Sequence, residues 1–253
     1  MGVAVVTMEI VVLGSSGSFA SADNPCTGYL VQTPGASVLL DCGPGTLGPL
    51  QRTIDLADLT AVVVTHNHPD HWLELPVLRN VFKYFQKRSD IPLYGTAETR
   101  RMDDAVTVRG SSATADPFVW NVITAKSIVT IGDQAWSFSR TDHPVETLAV
   151  RVDCGGRSFV FTSDTGPAWS IDAFGPGIDL ALYDASHLSA FEGKGIPHTS
   201  ARQAGERCRA ADVGRMVATH LVPGSDPEAH RAEASAAYGD AVDIASPGDR
   251  FVV

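Results

Sequence analysis

The sequence predicts a layered α/β fold in which two β-sheets pack face to face with helices outside. Three observations lead there. Short β-type runs broken by Gly, Pro, Asp and Asn dominate the first third, and strands alternate with helices in the last third. At the end of the early strands, a run of metal-type ligands, His66-Asn67-His68-Pro69-Asp70-His71, follows directly on the apolar strand Ala61–Thr65.

In chain order, the expected strands are Met8–Leu13, Tyr29–Gln32, Ser37–Leu40 and Ala61–Thr65. From His71 to Phe85, Leu73, Leu75, Val77, Leu78, Val81, Phe82 and Phe85 approximate helical spacing, which predicts one helix that starts inside the ligand run. A strand Ile91–Tyr94, a polar helix Thr96–Val106 and a loop Gly110–Asp116 follow. Leu148–Val152 and Ser158–Thr162 flank Asp153-Cys154-Gly155-Gly156-Arg157, the signature of a hairpin. The last third reads as strand Leu180–Asp184, helix Ser200–Ala211, strand Met216–Thr219, helix Pro227–Tyr238 and strand Ala241–Ile244. No repeat, linker or low-complexity segment interrupts the chain, so one domain over residues 1–253 is expected.

Composition narrows the function class. With 44% hydrophobic and 19% charged residues the chain can bury a sizeable core. A net charge of −10 argues against a large nucleic acid as partner, because duplex or tRNA binding normally needs a basic face. Cys26, Cys42, Cys154 and Cys208 form no C-x-x-C pair, which excludes a zinc ribbon and a disulfide framework and suits reduced thiols. No Lys or Arg precedes Arg52, so a basic leader is missing, and Met8 is a plausible start of the first strand. No apolar run reaches the roughly 20 residues that span a bilayer. The expectation is a cytoplasmic protein without a membrane partner.

A metal ion needs several donors converging on one point, and the end of the strand at Val62-Val63-Val64-Thr65 supplies them. Alternate residues of an extended chain point the same way, so His66 and His68 can share one ion. Asp70 and His71, at the turn into the helix, can reach a second ion nearby.

This H-x-H-x-D-H run after a short hydrophobic strand resembles the hallmark of the metallo-β-lactamase fold superfamily of binuclear hydrolases. The resemblance extends from Gly14-Ser15-Ser16-Gly17-Ser18 through Leu40-Asp41-Cys42-Gly43-Pro44-Gly45 to Thr219-His220. It implies a four-layer αββα sandwich of two mixed sheets. Residue by residue, it implies that His66, His68 and His143 (in Thr141-Asp142-His143-Pro144) bind one ion and that Asp70, His71 and His220 bind the other. Asp164, in Thr162-Ser163-Asp164-Thr165-Gly166, would bridge the two. The expected cofactors are therefore two divalent ions, with Zn²⁺ first and Mn²⁺ or Fe²⁺ also suited to these ligands. A hydroxide between two ions is a nucleophile at neutral pH. Two divalent ions set against Asp70, Asp164 and one hydroxide leave a local excess of about +1, which attracts an anionic substrate to an acidic chain.

Several features select a branch of the superfamily. Many true β-lactamases carry cysteine at the position of Asp164 and lack the second residue of Asp70-His71, so antibiotic hydrolysis is not expected. Pro197-His198-Thr199-Ser200 resembles an element of the RNase Z-like phosphodiesterases whose histidine protonates the leaving oxygen. Asp184, in Leu182-Tyr183-Asp184-Ala185-Ser186, stands where those relatives carry an acidic residue, usually Glu, behind that histidine. Asp70, His198 and Asp184 are thus the expected catalytic side chains. His187 reads first as an exposed loop residue, with a place lining the pocket as the alternative, and His230 as part of a solvated helix face. RNase Z carries a tRNA-gripping arm between its third histidine and bridging aspartate, but here 20 residues separate His143 from Asp164 and a hairpin over Glu146–Thr162 uses nearly all of them. The chain is similar to armless relatives linked to cyclic nucleotide phosphodiesterase activity. A small anionic phosphodiester is therefore the leading substrate expectation. A lactone or thioester hydrolase, an RNase Z-type tRNA 3′ endonuclease and a non-catalytic metal-binding protein are the other readings. Such relatives commonly dimerise through the helices flanking the site, which makes a second copy one expected partner.

Overall fold

The computed structural model describes residues 7–107 and 116–253. Strands β1 (Glu9–Gly14), β2 (Gly28–Thr33), β3 (Ala36–Leu40), β4 (Ala61–Val63), β5 (Ile91–Gly95) and β6 (Phe118–Val122) are neighbours in that order. Strands β7 (Ile128–Ile131), β8 (Gln134–Arg140), β9 (Leu148–Cys154), β10 (Arg157–Phe161), β11 (Leu180–Asp184), β12 (Met216–Thr219) and β13 (Asp243–Ile244) form a second sheet in the same manner. β14 (Arg250–Val252) returns to pair antiparallel with β1 and closes the first sheet at seven strands. Each half starts antiparallel (β1–β2–β3 and β7–β8–β9–β10) and turns parallel (β3 to β6 and β10 to β13).

Most parallel steps need a crossover, and helices supply it. α1 (Leu47–Thr53) joins β3 to β4, while α2 (Pro69–Trp72) and α3 (Leu75–Asn80) join β4 to β5. α4 (Ala97–Val106) joins β5 to β6, α5 (Ala201–Ala210) joins β11 to β12, and α6 (Pro227–Tyr238) joins β12 to β13. Alternation along each strand then sorts the apolar residues into three layers. Val12, Val31, Leu40 and Val63 meet Trp136, Val150, Phe161 and Leu182 between the sheets. Val11, Leu30, Leu39 and Val62 face Trp72, Leu78 and Phe82 outside the first sheet. Val160, Ala181 and Tyr183 face Ala201, Ala204, Cys208 and Ala234 outside the second. This is the expected αββα sandwich. All four cysteines are buried and unpaired, and among the described residues no helix is long and apolar enough to cross a membrane.

Departures from expectation have local causes. The single helix expected over His71–Phe85 is broken into α2, α3 and a wider turn at Val81–Gln86. At the break, Glu74 N donates to Cys42 O (3.0 Å) while its carboxylate accepts from Gly45 N (2.6 Å), and Pro76 starts the next helix without needing a partner for a backbone N–H. The last strand begins at Asp243 rather than Ala241, because Ala241 N and Val242 N donate to Asp240 and to Ser235 of α6. β6, β7, β8 and β14 join the sheets beyond the strands expected from the sequence. Of the expected loop Gly110–Asp116, residues 110–115 lie outside the described residues.

One polar contact ties the sheets beside the site. Tyr29 Oη of β2 lies 2.5 Å from Thr219 Oγ1 at the end of β12, and its ring packs edge-on to Phe161 with centroids 4.9 Å apart. Replacing Tyr29 with Phe leaves the Thr219 hydroxyl without this partner, so urea denaturation should show a loss of about 1–2 kcal/mol. Tyr29→Ala, which also opens a cavity, should lose about 3–5 kcal/mol. No loss in Tyr29→Phe would show that the hydroxyl contact does not contribute.

Candidate metal centre and active site

Parallel strands that end on one edge leave their following loops together, and in open α/β sheets that edge is where ligands bind. Here Asp41 follows β3, His66 to His71 follow β4, His143 follows β8, Asp164 follows β10, Asp184 ends β11 and His220 follows β12. Seven of the residues fall into two groups around one carboxylate, and Asp184 and His198 join Asp164 and His220 in a third. His66, His68, His143 and Asp164 bring one donor atom each within 4.8 Å of one another, and so do Asp70, His71 and His220. Asp164 faces both. Its Oδ2 lies 3.5 Å from His66 Nε2 and 3.8 Å from His143 Nε2, whereas its Oδ1 lies 3.1 Å from His71 Nε2 and 3.3 Å from His220 Nε2. All seven ligand positions expected from the sequence are therefore brought together.

The second nitrogen of four of these rings is taken by the protein, which orients each ring and aims its other nitrogen into the site. His66 Nδ1 is 3.1 Å from Thr65 Oγ1, which itself donates to Asp41 Oδ2 (2.9 Å). His71 Nδ1 donates to Asp41 Oδ2 at 2.7 Å, His143 Nδ1 to Pro197 O at 3.1 Å, and His220 Nδ1 to Ser186 Oγ at 3.0 Å. The inward atoms converge on one another: His68 Nδ1 and His143 Nε2 are 3.1 Å apart, His71 Nε2 and His220 Nε2 3.3 Å. His66 Nε2 and Asp164 Oδ1 are buried and make no hydrogen bond. A buried acceptor left in this way is costly unless something positive meets it.

The electrostatics point the same way. Burial, with the charge of His71, holds His66 neutral with a pKa down at about 3, and burial lowers His68 and His143 as well. Burial also disfavours charge on His71, but the carboxylates of Asp164, Asp70 and Asp41 override it and push its pKa well above the imidazole range. Burial favours neutral Asp70 and Asp164, yet neighbouring histidines hold both below the carboxylate range, His71 first for Asp70 and His220 first for Asp164. Neutral His66, His68 and His143, together with ionised carboxylates that draw positive charge onto His71, are a donor set for a borderline divalent cation, so the residues present fit metal ions.

His198 lies beside both groups. Its ring stacks on His220 (centroids 5.2 Å, 20° between planes) and meets His143 edge-on at 5.2 Å. Nδ1 donates to Asp184 Oδ2 at 2.8 Å, so the short aspartate reaches it. Burial works against a charged His198, but Asp184, through charge and hydrogen bond, raises its pKa to about 9. Asp184 is itself held by Thr165 N (3.0 Å), Ser186 N (3.1 Å) and Ser186 Oγ (2.6 Å). The helix behind His198 starts with a reciprocal cap, Ser200 to Gln203 and back, which fixes where the loop ends.

Two other histidines sit differently from expectation. His187 is half-buried at the base of the same loop, with Nδ1 3.0 Å from Leu188 O and Nε2 3.1 Å from His198 O. His230 is not on a solvated face: it is 1% exposed, its Nδ1 2.9 Å from Asp226 O. The amphipathic reading failed there because α6 packs along α5 as well as on the sheet.

Sequence reasoning quoted Asp41 without giving it a task. It accepts from His71, Thr65 N (2.8 Å) and Thr65 Oγ1, and so orients two histidines at once. Its place after an apolar strand and before Cys42-Gly43 was the available signal. Gly43 packs so close to Asp70 that a Cβ would lie 2.0 Å from Asp70 O, and a Cβ on Gly17 would lie 2.4 Å from His220 O. Ser18, next to Gly17, donates its N–H to Asp70 Oδ2 at 2.8 Å.

Comparison with known proteins agrees with this geometry. The sequence profile described as Beta-lactamase superfamily domain matches residues 36–221, which include every ligand position above. An uncharacterized protein of Mycobacterium leprae is 32% identical, covering 98% of this chain and 89% of the relative. Ribonuclease Z of Mycobacterium bovis is 26% identical over 97% of this chain and 98% of its own. Among solved structures, the metallo-beta-lactamase fold protein YhfI from Bacillus subtilis has a TM-score of 0.86 at 24% identity, covering 98% of this chain and 100% of that one.

The role of Asp41 is open to direct measurement. Asp41→Asn keeps the size of the side chain but removes the charge that orients His71. Competition against a chromogenic chelator should show divalent-cation affinity weakened about 10- to 100-fold, with circular dichroism unchanged. Unchanged affinity would mean that the charge of Asp41 does not contribute to metal binding.

Proposed function

The chain belongs to the β-lactamase superfamily of metallo-hydrolases, and from that premise we propose that it is a metal-dependent phosphodiesterase acting on a small phosphodiester such as a cyclic nucleotide. The observation that carries this reading is His198, held through Nδ1 by Asp184 while its ring lies against both His143 and His220. Ester hydrolysis with a good leaving group needs no such proton donor. Departure of an alkoxide from phosphorus does.

In this reading His66, His68 and His143 hold one divalent ion, Asp70, His71 and His220 hold a second, and Asp164 is shared. Bound there, such ions supply Lewis-acid polarisation of the phosphoryl oxygens and an activated water. The chain's own residues do the rest. Asp41, Thr65, Ser186 and Pro197 keep four imidazoles in one orientation. His198 keeps a proton on the ring nitrogen away from Asp184 and delivers it to the leaving oxygen. Asp184, fixed by three donors, stays ionised and steadies His198 while it is charged.

Small size of the substrate is supported by two features. Between His143 and Asp164 the chain forms only the β9–β10 hairpin, turned at Gly155-Gly156, with no protruding arm. The chain carries a net charge of −10, which opposes a polyanion more strongly than a single phosphodiester.

The test is a panel of cyclic nucleotides, bis(p-nitrophenyl) phosphate, lactones and thioesters, with protein loaded with Zn²⁺ or Mn²⁺. Turnover of the phosphodiesters is expected. His198→Ala should lower kcat on the alkoxide-leaving cyclic nucleotide by about 10²- to 10⁴-fold and on the p-nitrophenyl ester much less. Turnover confined to lactones or thioesters, with His198→Ala fully active, would overturn the proposal in favour of the ester hydrolase. Cleavage of precursor tRNA alone would overturn it in favour of an RNA-processing role.

A further inference from the structure

His198 is reached by a loop that runs from the end of β11 to the start of α5, and this loop has two firm anchors and an open tip. Near its start, Ser189 N and Oγ both donate to the Glu233 carboxylate of α6, each at 2.8 Å. Glu192 is then gripped by Arg202 (2.5 Å) and by Ser200 Oγ (2.5 Å). Beyond it come Gly193-Lys194-Gly195. Both glycines are in the left-handed region, at φ +72° and +75°, and no atom lies within 4 Å of where either Cβ would be. The loop then returns to the site, where Pro197 O accepts from His143 Nδ1 and His198 follows.

Phe191 and Lys194 stand out on this loop. The Phe191 ring is 46% exposed and belongs to none of the three apolar clusters, so packing does not account for it. The Lys194 ammonium lies 4.5 Å from the centre of that ring, and among the described residues it has no carboxylate partner. Lys194 is three residues from Pro197, so their Cα atoms can be no more than about 11 Å apart. A cation and an exposed aromatic ring thus sit together on the loop that carries His198, in an acidic chain.

Building on the phosphodiesterase reading, we propose that Phe191 and Lys194 form a nucleotide-recognition subsite, in which the ring stacks on the nucleobase and the ammonium pairs with a phosphate oxygen. A cation alone would suit any phosphate, and a ring alone any apolar group. Side by side they suit a ligand that carries a planar base and an anion together. The two glycines leave the tip free to close on such a ligand, while the Glu233 and Arg202 anchors keep its ends in register with His198.

The experiment is calorimetric titration of Mn²⁺-loaded protein with adenosine 5′-monophosphate and with ribose 5-phosphate, which lacks the base. Wild type should bind the nucleotide more tightly. Phe191→Ala should weaken adenosine 5′-monophosphate by about tenfold and narrow its advantage over ribose 5-phosphate. Lys194→Ala should weaken both ligands by about three- to tenfold, more so at low salt. Both side chains are exposed, so folding should survive, and unchanged thermal melts would verify it. Equal affinities of the two ligands in wild type, or equal effects of Phe191→Ala on both, would overturn the subsite. Absence of phosphodiester turnover together with the predicted binding pattern would remove the enzymatic reading and leave the subsite standing. Turnover with unaltered binding in both variants would do the reverse.

Discussion

The carboxylate of Asp164 is the contact on which the rest of the site depends. Each of its two oxygens faces histidines from both sheets, Oδ2 meeting His66 from beyond β4 and His143 from beyond β8, Oδ1 meeting His71 from beyond β4 and His220 from beyond β12. Such a group is stable in the interior only if positive charge meets it. The imidazoles supply part of that charge, above all His71, and metal ions would supply it more fully. The site is thus an electrostatic problem that the two-sheet architecture poses at its seam and that cations resolve.

Holding this arrangement requires backbone geometry that most residues avoid. Ser18, Asp41, Ser163 and His220 all have positive φ, between 51° and 65°, and each lies in the site or beside it. A left-handed residue with a side chain costs roughly 1–2 kcal/mol. The cost is offset by the sheets on either side, whose strands end in buried, fully packed residues: Leu40 before Asp41, Phe161 before Thr162-Ser163, and Ala218 before Thr219-His220. Strain gathered at one edge of a well-packed scaffold is a common mark of a functional site.

Much of this was legible in the sequence, and the reason is locality. His66 to His71 occupy six consecutive positions after a strand, so strand period and ligand type together announced a metal site. His143, Asp164 and His220 are single residues far apart; only resemblance to a known order of motifs linked them. Asp41, Thr65 and Ser186 escaped because a hydrogen bond behind a ligand leaves no spacing rule in the chain. Among the strands, β8 carries a readable alternation, with Gln134, Trp136 and Phe138 buried between more exposed Ala135, Ser137 and Ser139. β14 could not be read, since its three residues gain their pairing from β1, more than 230 positions away. The broken helix after His71 turned on Glu74, whose bonds to Cys42 and Gly45 are likewise non-local.

Layering thus follows from alternation, the site from strand ends, and the chemistry from what surrounds one carboxylate. The most direct test of that centre is elemental analysis of wild type and Asp164→Ala after loading with Zn²⁺ or Mn²⁺ and removal of free ion. Wild type should hold two ions per chain, because each group of inward donors has its own set of histidines. Asp164→Ala should lose tight binding of at least one of them while keeping its fold. A wild-type protein that retains no ion, or an Asp164→Ala protein that retains both with undiminished affinity, would contradict the shared-carboxylate centre.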